Sequence, residues 1–118
     1  MTPEQLWQRY ADLWSTPAAH DSPEFEACLN EAVHYCDPNG PVAGRAALAQ
    51  YMAGFRAAMP GTRFRIATVV AHNGRTLSAW SLRSAEGVVL QTGRSFAQHD
   101  ERGRLREITG FFDPLPAG

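Results

Sequence analysis

The chain changes its hydrophobic period halfway along. Up to Met59 its apolar residues recur at helical spacing, and from Arg63 onward they alternate, with Asn73-Gly74 between two alternating runs. Alternation at period two describes strands with one buried face, and Asn-Gly tolerates the positive φ angles of a tight hairpin turn. Such a chain must pack a helical first half against an antiparallel second half, which is an α+β arrangement.

In the first half, Thr2 is placed to cap a helix, Pro3 suits the first helical position, and Gln5 completes a capping-box spacing. Leu6, Trp7, Tyr10, Leu13 and Trp14 share one face, and Thr16-Pro17 ends the helix. Ser22, Pro23 and Glu24 open a second helix with Phe25, Cys28 and Leu29 inward. Residues 32–36 read as a short strand ended by Asp37-Pro38-Asn39-Gly40-Pro41. A third helix is expected from about Val42 to Met59, with Leu48, Tyr51, Met52, Phe55 and Met59 on its core face. In the second half, Phe64, Ile66, Thr68 and Val70 form one strand face. Further strands over 76–83, 88–98 and 105–112, joined by turns at Glu86-Gly87 and Asp100-Glu101-Arg102-Gly103, predict a four-strand antiparallel meander. Gly93 and Gly110 lie inside the last two strands and mark bends. A bent sheet under three helices encloses a cone-shaped cavity suited to a small apolar molecule.

Length and balance suit one domain over residues 1–118: 44% of the residues are hydrophobic and 19% charged. A net charge of -1 with no basic cluster argues against nucleic acid and anionic membrane surfaces as partners. Arg102, Arg104 and Arg106 lie beside Glu101 and Glu107 and read as a solvated edge. No apolar run approaches the roughly 20 residues of a membrane helix. Glu4 falls where a signal peptide would be apolar, so a cytoplasmic chain is expected, with Cys28 and Cys36 as buried free thiols. No His or Cys pair has metal-ligand spacing, so neither a metal nor another cofactor is expected.

Four stretches, in order, carry a resemblance over essentially the whole chain: "LWQRYADLW", "VHYCDP", "GRAALAQYM" and "DERGRLREITGFFDP". The chain resembles the nuclear transport factor 2-like superfamily, which includes ketosteroid isomerases, SnoaL-like polyketide cyclases, scytalone dehydratase and limonene epoxide hydrolases. Its motifs match the ketosteroid isomerase pattern best. The resemblance then implies that Asp37 is a general base and that Tyr10 donates a hydrogen bond to a substrate oxygen. At the position where that family places a protonated Asp, this chain has Ser95, which can donate but is not a shifted acid. The Asp-Arg-Asp set of the epoxide hydrolases is not visible, because Arg94 alternates away from Ser95. His34 alternates away from Tyr35 and Asp37, which leaves the dehydratase pattern unmatched. The resemblance also implies a homodimer through the open sheet face, which is expected to carry Leu105, Thr109, Phe111, Val88 and Leu90.

From the residues alone, Asp37 reads two ways. It can end a strand and cap the turn after it, or share the inward face of Val33 and Tyr35 and look into the cavity, where desolvation makes a carboxylate a stronger base. Tyr10 is either a core tyrosine or a donor to substrate. Ser95 shares a face with Gln91, Gly93 and Ala97, which is either ligand-facing or solvated. Tyr35, Trp14, Met52, Phe55, Trp80, Ile108 and Phe112 are expected to form the pocket wall. The chemistry implied is cofactor-independent proton transfer on a small apolar carbonyl compound, of isomerase, cyclase or dehydratase type. The alternatives are a binding module with the same pocket and a dimerisation domain whose cavity is incidental.

Overall fold

The structure is a computed structural model, and it describes residues 1–114. Helix α1 spans Pro3–Asp12, α2 Pro23–Cys28 and α3 Arg45–Ala58. The strands are β1 Leu29–Asp37, β2 Gly40–Ala43, β3 Arg63–His72, β4 Arg75–Arg83, β5 Val89–His99 and β6 Leu105–Phe112. They form one six-stranded sheet in the order β2-β1-β6-β5-β4-β3. The expected meander is β3 to β6, all antiparallel, and β1 joins it by pairing parallel to β6, so the whole sheet is mixed. A parallel pair needs a long crossover, and residues 38–104 supply it.

The capping box on α1 forms in both directions: the Gln5 N–H donates to Thr2 Oγ1 at 3.1 Å, and the Thr2 N–H donates to Gln5 Oε1 at 2.9 Å. The helix closes at Asp12 rather than at Thr16, with turns over the next residues, yet Leu13 and Trp14 remain buried with Leu6, Trp7 and Tyr10. Helix α3 begins three residues later than its periodicity suggests. Residues 40–43 pair with β1 as a hairpin strand, and Gly44, at φ 92°, turns the chain into the helix. The Asn73-Gly74 turn has the two positive φ angles expected, 46° and 73°.

The core lies between the helices and one sheet face. Phe25, Cys28, Leu29, Val33, Leu48, Met52 and Leu105 are fully buried there. Trp7 pins α1 to the sheet: its indole N–H donates to Thr76 Oγ1 at 2.9 Å, and His99 Nε2 lies 2.7 Å from the same hydroxyl. Cys36 lies on the outer face and is exposed, so only Cys28 is a buried thiol.

Three bulges change which side chains face the core. In β3, Ile66 pairs with Trp80 and Thr68 with Ala79, so Ala67 is an extra residue. Val69 then turns inward, and Val70, expected inside, is 63% exposed. In β5, Leu90 is the extra residue between the pairs Leu82–Gln91 and Arg83–Val89. In β6, Arg106 is extra between Gln98–Glu107 and His99–Leu105. These slips remove Leu105 and Leu90 from the outer face assigned to them: Leu105 is core and Leu90 borders the cavity.

Gly93 is an inward position that no side chain can occupy. An added Cβ would collide with the Phe111 carbonyl oxygen and the Trp80 indole. Gly93→Ala is therefore expected to cost about 1–3 kcal/mol of unfolding free energy by overpacking, measured by urea denaturation. An unchanged midpoint would show that Trp80 yields freely.

Candidate functional site

Asp37 is the last residue of β1, and two neighbours on separate elements hold its carboxylate. The Tyr35 hydroxyl donates to Oδ2 at 2.6 Å. The Tyr51 hydroxyl, from α3, lies 2.8 Å from Oδ2 and 3.0 Å from Oδ1. The Asn39 backbone N–H donates to Oδ1 at 2.7 Å. The two alternatives for Asp37 therefore coexist. One oxygen caps the Pro38-Asn39-Gly40 turn, while the side chain is 8% exposed and borders the interior cavity.

That cavity has a volume of about 630 Å³, and nine of its lining residues are aromatic. Of the expected wall residues, Trp14, Tyr35, Phe55, Trp80 and Phe112 line it, together with the candidate donors Tyr10 and Ser95. Met52 and Ile108 do not: both are fully buried in the core behind the wall. Residues read as core or strand face, Trp7, Tyr51, Phe64 and Ile66, border the space as well. Tyr51 is the main residue that periodicity misses. Its spacing marks a core position, and the one available signal is that it is tyrosine rather than phenylalanine, since a core hydroxyl needs a partner.

The floor of the cavity follows from strand register. Ser78 pairs with Ser95, Ser95 with Gly110, and Cys36 with Thr109, which brings Asp37 beside Gly110. One inward row thus runs Ser78, Ser95, Gly110, Asp37. A Cβ at Gly110 would stand 3.3 Å from Ser95 Oγ and 3.8 Å from the Asp37 Cβ. The missing side chain leaves a notch between the two polar groups. Strand spacing places their backbones about 10 Å apart. The Trp80 indole N–H donates to Ser95 Oγ at 3.0 Å. That bond uses a lone pair on Oγ and leaves the Ser95 O–H to donate elsewhere.

All three tyrosines of the chain meet in this region, and each hydroxyl holds its proton more tightly than usual. Burial pushes the Tyr51 pKa up to about 12, reinforced by its hydrogen bond to Asp37. Burial raises Tyr35 further, with Tyr10 and then Asp37 adding to it. Burial also raises Tyr10, where the Trp14 indole acts in the opposite direction and the Asp37 charge adds to the rise. Arg94 and His34 stay outside, as alternation implies; Arg94 is exposed, 3.8 Å from Asp113. Among the described residues, no group of three His, Cys, Asp or Glu is placed to hold a metal ion.

The tyrosines give a direct test of this burial. Their pKa values lie above the ordinary 10.0, so the stability they confer is complete below pH 10 and fades as pH rises through their folded values. Ultraviolet titration of the folded chain should show no phenolate near pH 10, with the first appearing near pH 12. The denatured chain should titrate all three near the ordinary value. A folded-state phenolate at pH 10 would show that the hydroxyls are not held as described.

The SnoaL-like domain family matches residues 7–112. No curated protein matches the chain. Among solved structures it is similar to a candidate isomerase of the SnoaL-like family from Agrobacterium tumefaciens str. C58, at 25% identity and a TM-score of 0.78, covering 93% of this chain and 96% of that one. An NTF2-like protein of unknown function from Mesorhizobium loti is 23% identical with a TM-score of 0.68, covering 93% and 89% of the two chains. A candidate ketosteroid isomerase from Kribbella flavida DSM 17836 is 20% identical with a TM-score of 0.70, covering 98% and 80%. The last two similarities establish the fold alone, whereas the family match spans nearly the entire helix-and-sheet cone described above. The chain belongs to the SnoaL-like domain family, and its fold is similar to that of an NTF2-like protein.

Proposed function

We propose that the chain is a cofactor-independent acid–base enzyme acting on a small, mostly apolar carbonyl compound. Asp37 removes a proton from a carbon conjugated to the carbonyl. The oxygen gains negative charge, and the Ser95 and Tyr10 hydroxyls donate hydrogen bonds to it. Asp37 then returns the proton, to another carbon in an isomerisation. The observation that supports this most is the inward row itself: a carboxylate and a free hydroxyl donor flank the Gly110 notch at the floor of an aromatic cavity. The candidate isomerases among the similar structures point to the same class of chemistry.

A screen of enones and β-dicarbonyl compounds tests it. Asp37→Asn should lower turnover by about 10²–10⁴-fold, the usual contribution of a positioned general base. Ser95→Ala should lower it about 10²–10³-fold if that hydroxyl meets the oxyanion. Equal rates in wild type and Asp37→Asn would remove Asp37 from the mechanism.

One observation favours a second reading, a binding module without turnover. Three donors converge on the Asp37 carboxylate, which solvates it as a fixed ion. Ligand-induced rises in melting temperature without consumption of any screened compound would support that reading.

A homodimer through the outer sheet face belongs to the same proposal. None of the described helices covers that face, and a register row carries Val70, Leu77, Phe96 and Thr109 across it, with Phe111 beside the row at 61% exposure. Light scattering should return twice the 13.0 kDa of one chain, and Phe111→Arg should halve it. A monomer mass for the unaltered chain at high concentration would overturn it. The free thiols Cys28 and Cys36 suit a reducing compartment such as the cytoplasm, and among the described residues no helix is long and apolar enough to cross a membrane.

A further inference from the structure

The cavity sets a carboxylate among aromatic rings without a positive partner. Its three donors, from Tyr35, Tyr51 and the Asn39 backbone, are all neutral. None of the eleven Lys and Arg residues lines the cavity, and no described salt bridge includes Asp37. Trp14 is the hub of the wall above it. Its ring centroid lies 5.5 Å from Tyr35, 5.8 Å from Tyr51, 5.5 Å from Phe55 and 5.9 Å from Phe64.

These features add up to one electrostatic character. Aromatic faces carry partial negative charge, and a buried carboxylate adds a full one. A neutral apolar occupant would leave the Asp37 charge without a counter-charge, and an anionic occupant would be repelled. A small hydrated cation would lose its water to hydrocarbon walls, and Asp37 stands without the further carboxylates a metal needs. The species that suits the cavity is a cation whose charge is spread over alkyl groups, weakly hydrated and able to lie against ring faces.

We infer that the ligand of this cavity carries an alkylated ammonium group, quaternary or tertiary and protonated, seated beside Asp37 and the aromatic wall around Trp14. The inference rests on the binding reading of the site, with Asp37 as counter-charge, and it names the ligand class. Of the amide side chains on the lining, Gln91 donates from its nitrogen to the Thr92 and Asp113 carbonyls at 2.8 and 2.9 Å, which leaves its Oε1 to accept from a polar group elsewhere on the ligand.

Two probes of the same shape test it: choline and 3,3-dimethylbutan-1-ol, in which carbon replaces the charged nitrogen. Calorimetric titration of the unaltered chain should show choline binding at least about tenfold more tightly, the scale of one or two desolvated cation–π contacts with a counter-ion. Asp37→Asn should bring the two affinities close together, and Trp14→Leu should weaken choline more than the alcohol. The inference is overturned if the alcohol binds as well as choline, if neither binds at tens of millimolar, or if Asp37→Asn leaves choline affinity unchanged. The comparison on the unaltered chain decides the matter even where a variant fails to fold. Asp37-dependent consumption of a carbonyl compound by a chain that ignores choline would remove this inference and leave the acid–base reading standing. Asp37-dependent choline affinity with no turnover would do the reverse.

Discussion

The Asp37 carboxylate joins three parts of the chain. Tyr35 lies on its own strand, Asn39 in the turn that follows, and Tyr51 on the helix that crosses above. Hydrogen bonds to a charged group contribute about 1.5–3 kcal/mol each, more than neutral ones, because the ion must be solvated by something once water is gone. The placement of α3 over the end of β1 therefore depends on a charge. So does the cavity, since Tyr51 and Phe55 on that helix and Tyr35 below it are part of its wall. The group that organises this corner of the fold is also, among the described residues, the carboxylate that borders the cavity.

The sheet controls what surrounds that charge through irregularity. Ala67, Leu90 and Arg106 are each one residue more than the ladder can pair. Each reverses the facing of the residues beyond it, because side chains alternate with period two. The slip at Arg106 brings Leu105 into the core against Leu29, its partner across the parallel pair. The slip at Leu90 puts a leucine at the cavity edge near Phe112, where both remain partly exposed. Gly93 and Gly110 act in the same space by absence. Gly93 admits the Trp80 ring, and Gly110 opens the notch between Ser95 and Asp37.

Membership of the SnoaL-like family determines the container more than its contents. Within this fold the reaction follows from the few polar groups that reach the interior. Here they include a carboxylate already held by neutral donors, a serine whose lone pair is taken by Trp80, and three tyrosine hydroxyls. Both proposals draw on the carboxylate, and they differ in one respect. Either the charge on Asp37 moves with a proton during a reaction, or it stays in place and holds a ligand of opposite charge.

The sequence by itself determined what depends on neighbours along the chain. The Thr2–Gln5 cap, the apolar face of α1, the Asn73-Gly74 hairpin and the α+β order are set by spacings of a few residues, and local backbone geometry enforces them. The inward direction of Asp37 was legible for the same reason, as two-residue alternation from Val33 through Tyr35. Only the tertiary structure decided what depends on register and docking. It placed β1 beside β6, turned Val69 inward in place of Val70, withdrew Met52 and Ile108 behind the wall, and brought Tyr51 onto Asp37. A bulge is one residue wide and leaves the apolar count unchanged, so alternation cannot reveal it. A hydroxyl on a helix meets a carboxylate on a strand only once packing has fixed the distance between them. That is why "HYCDPNGP" shows where the carboxylate points and is silent about what holds it there.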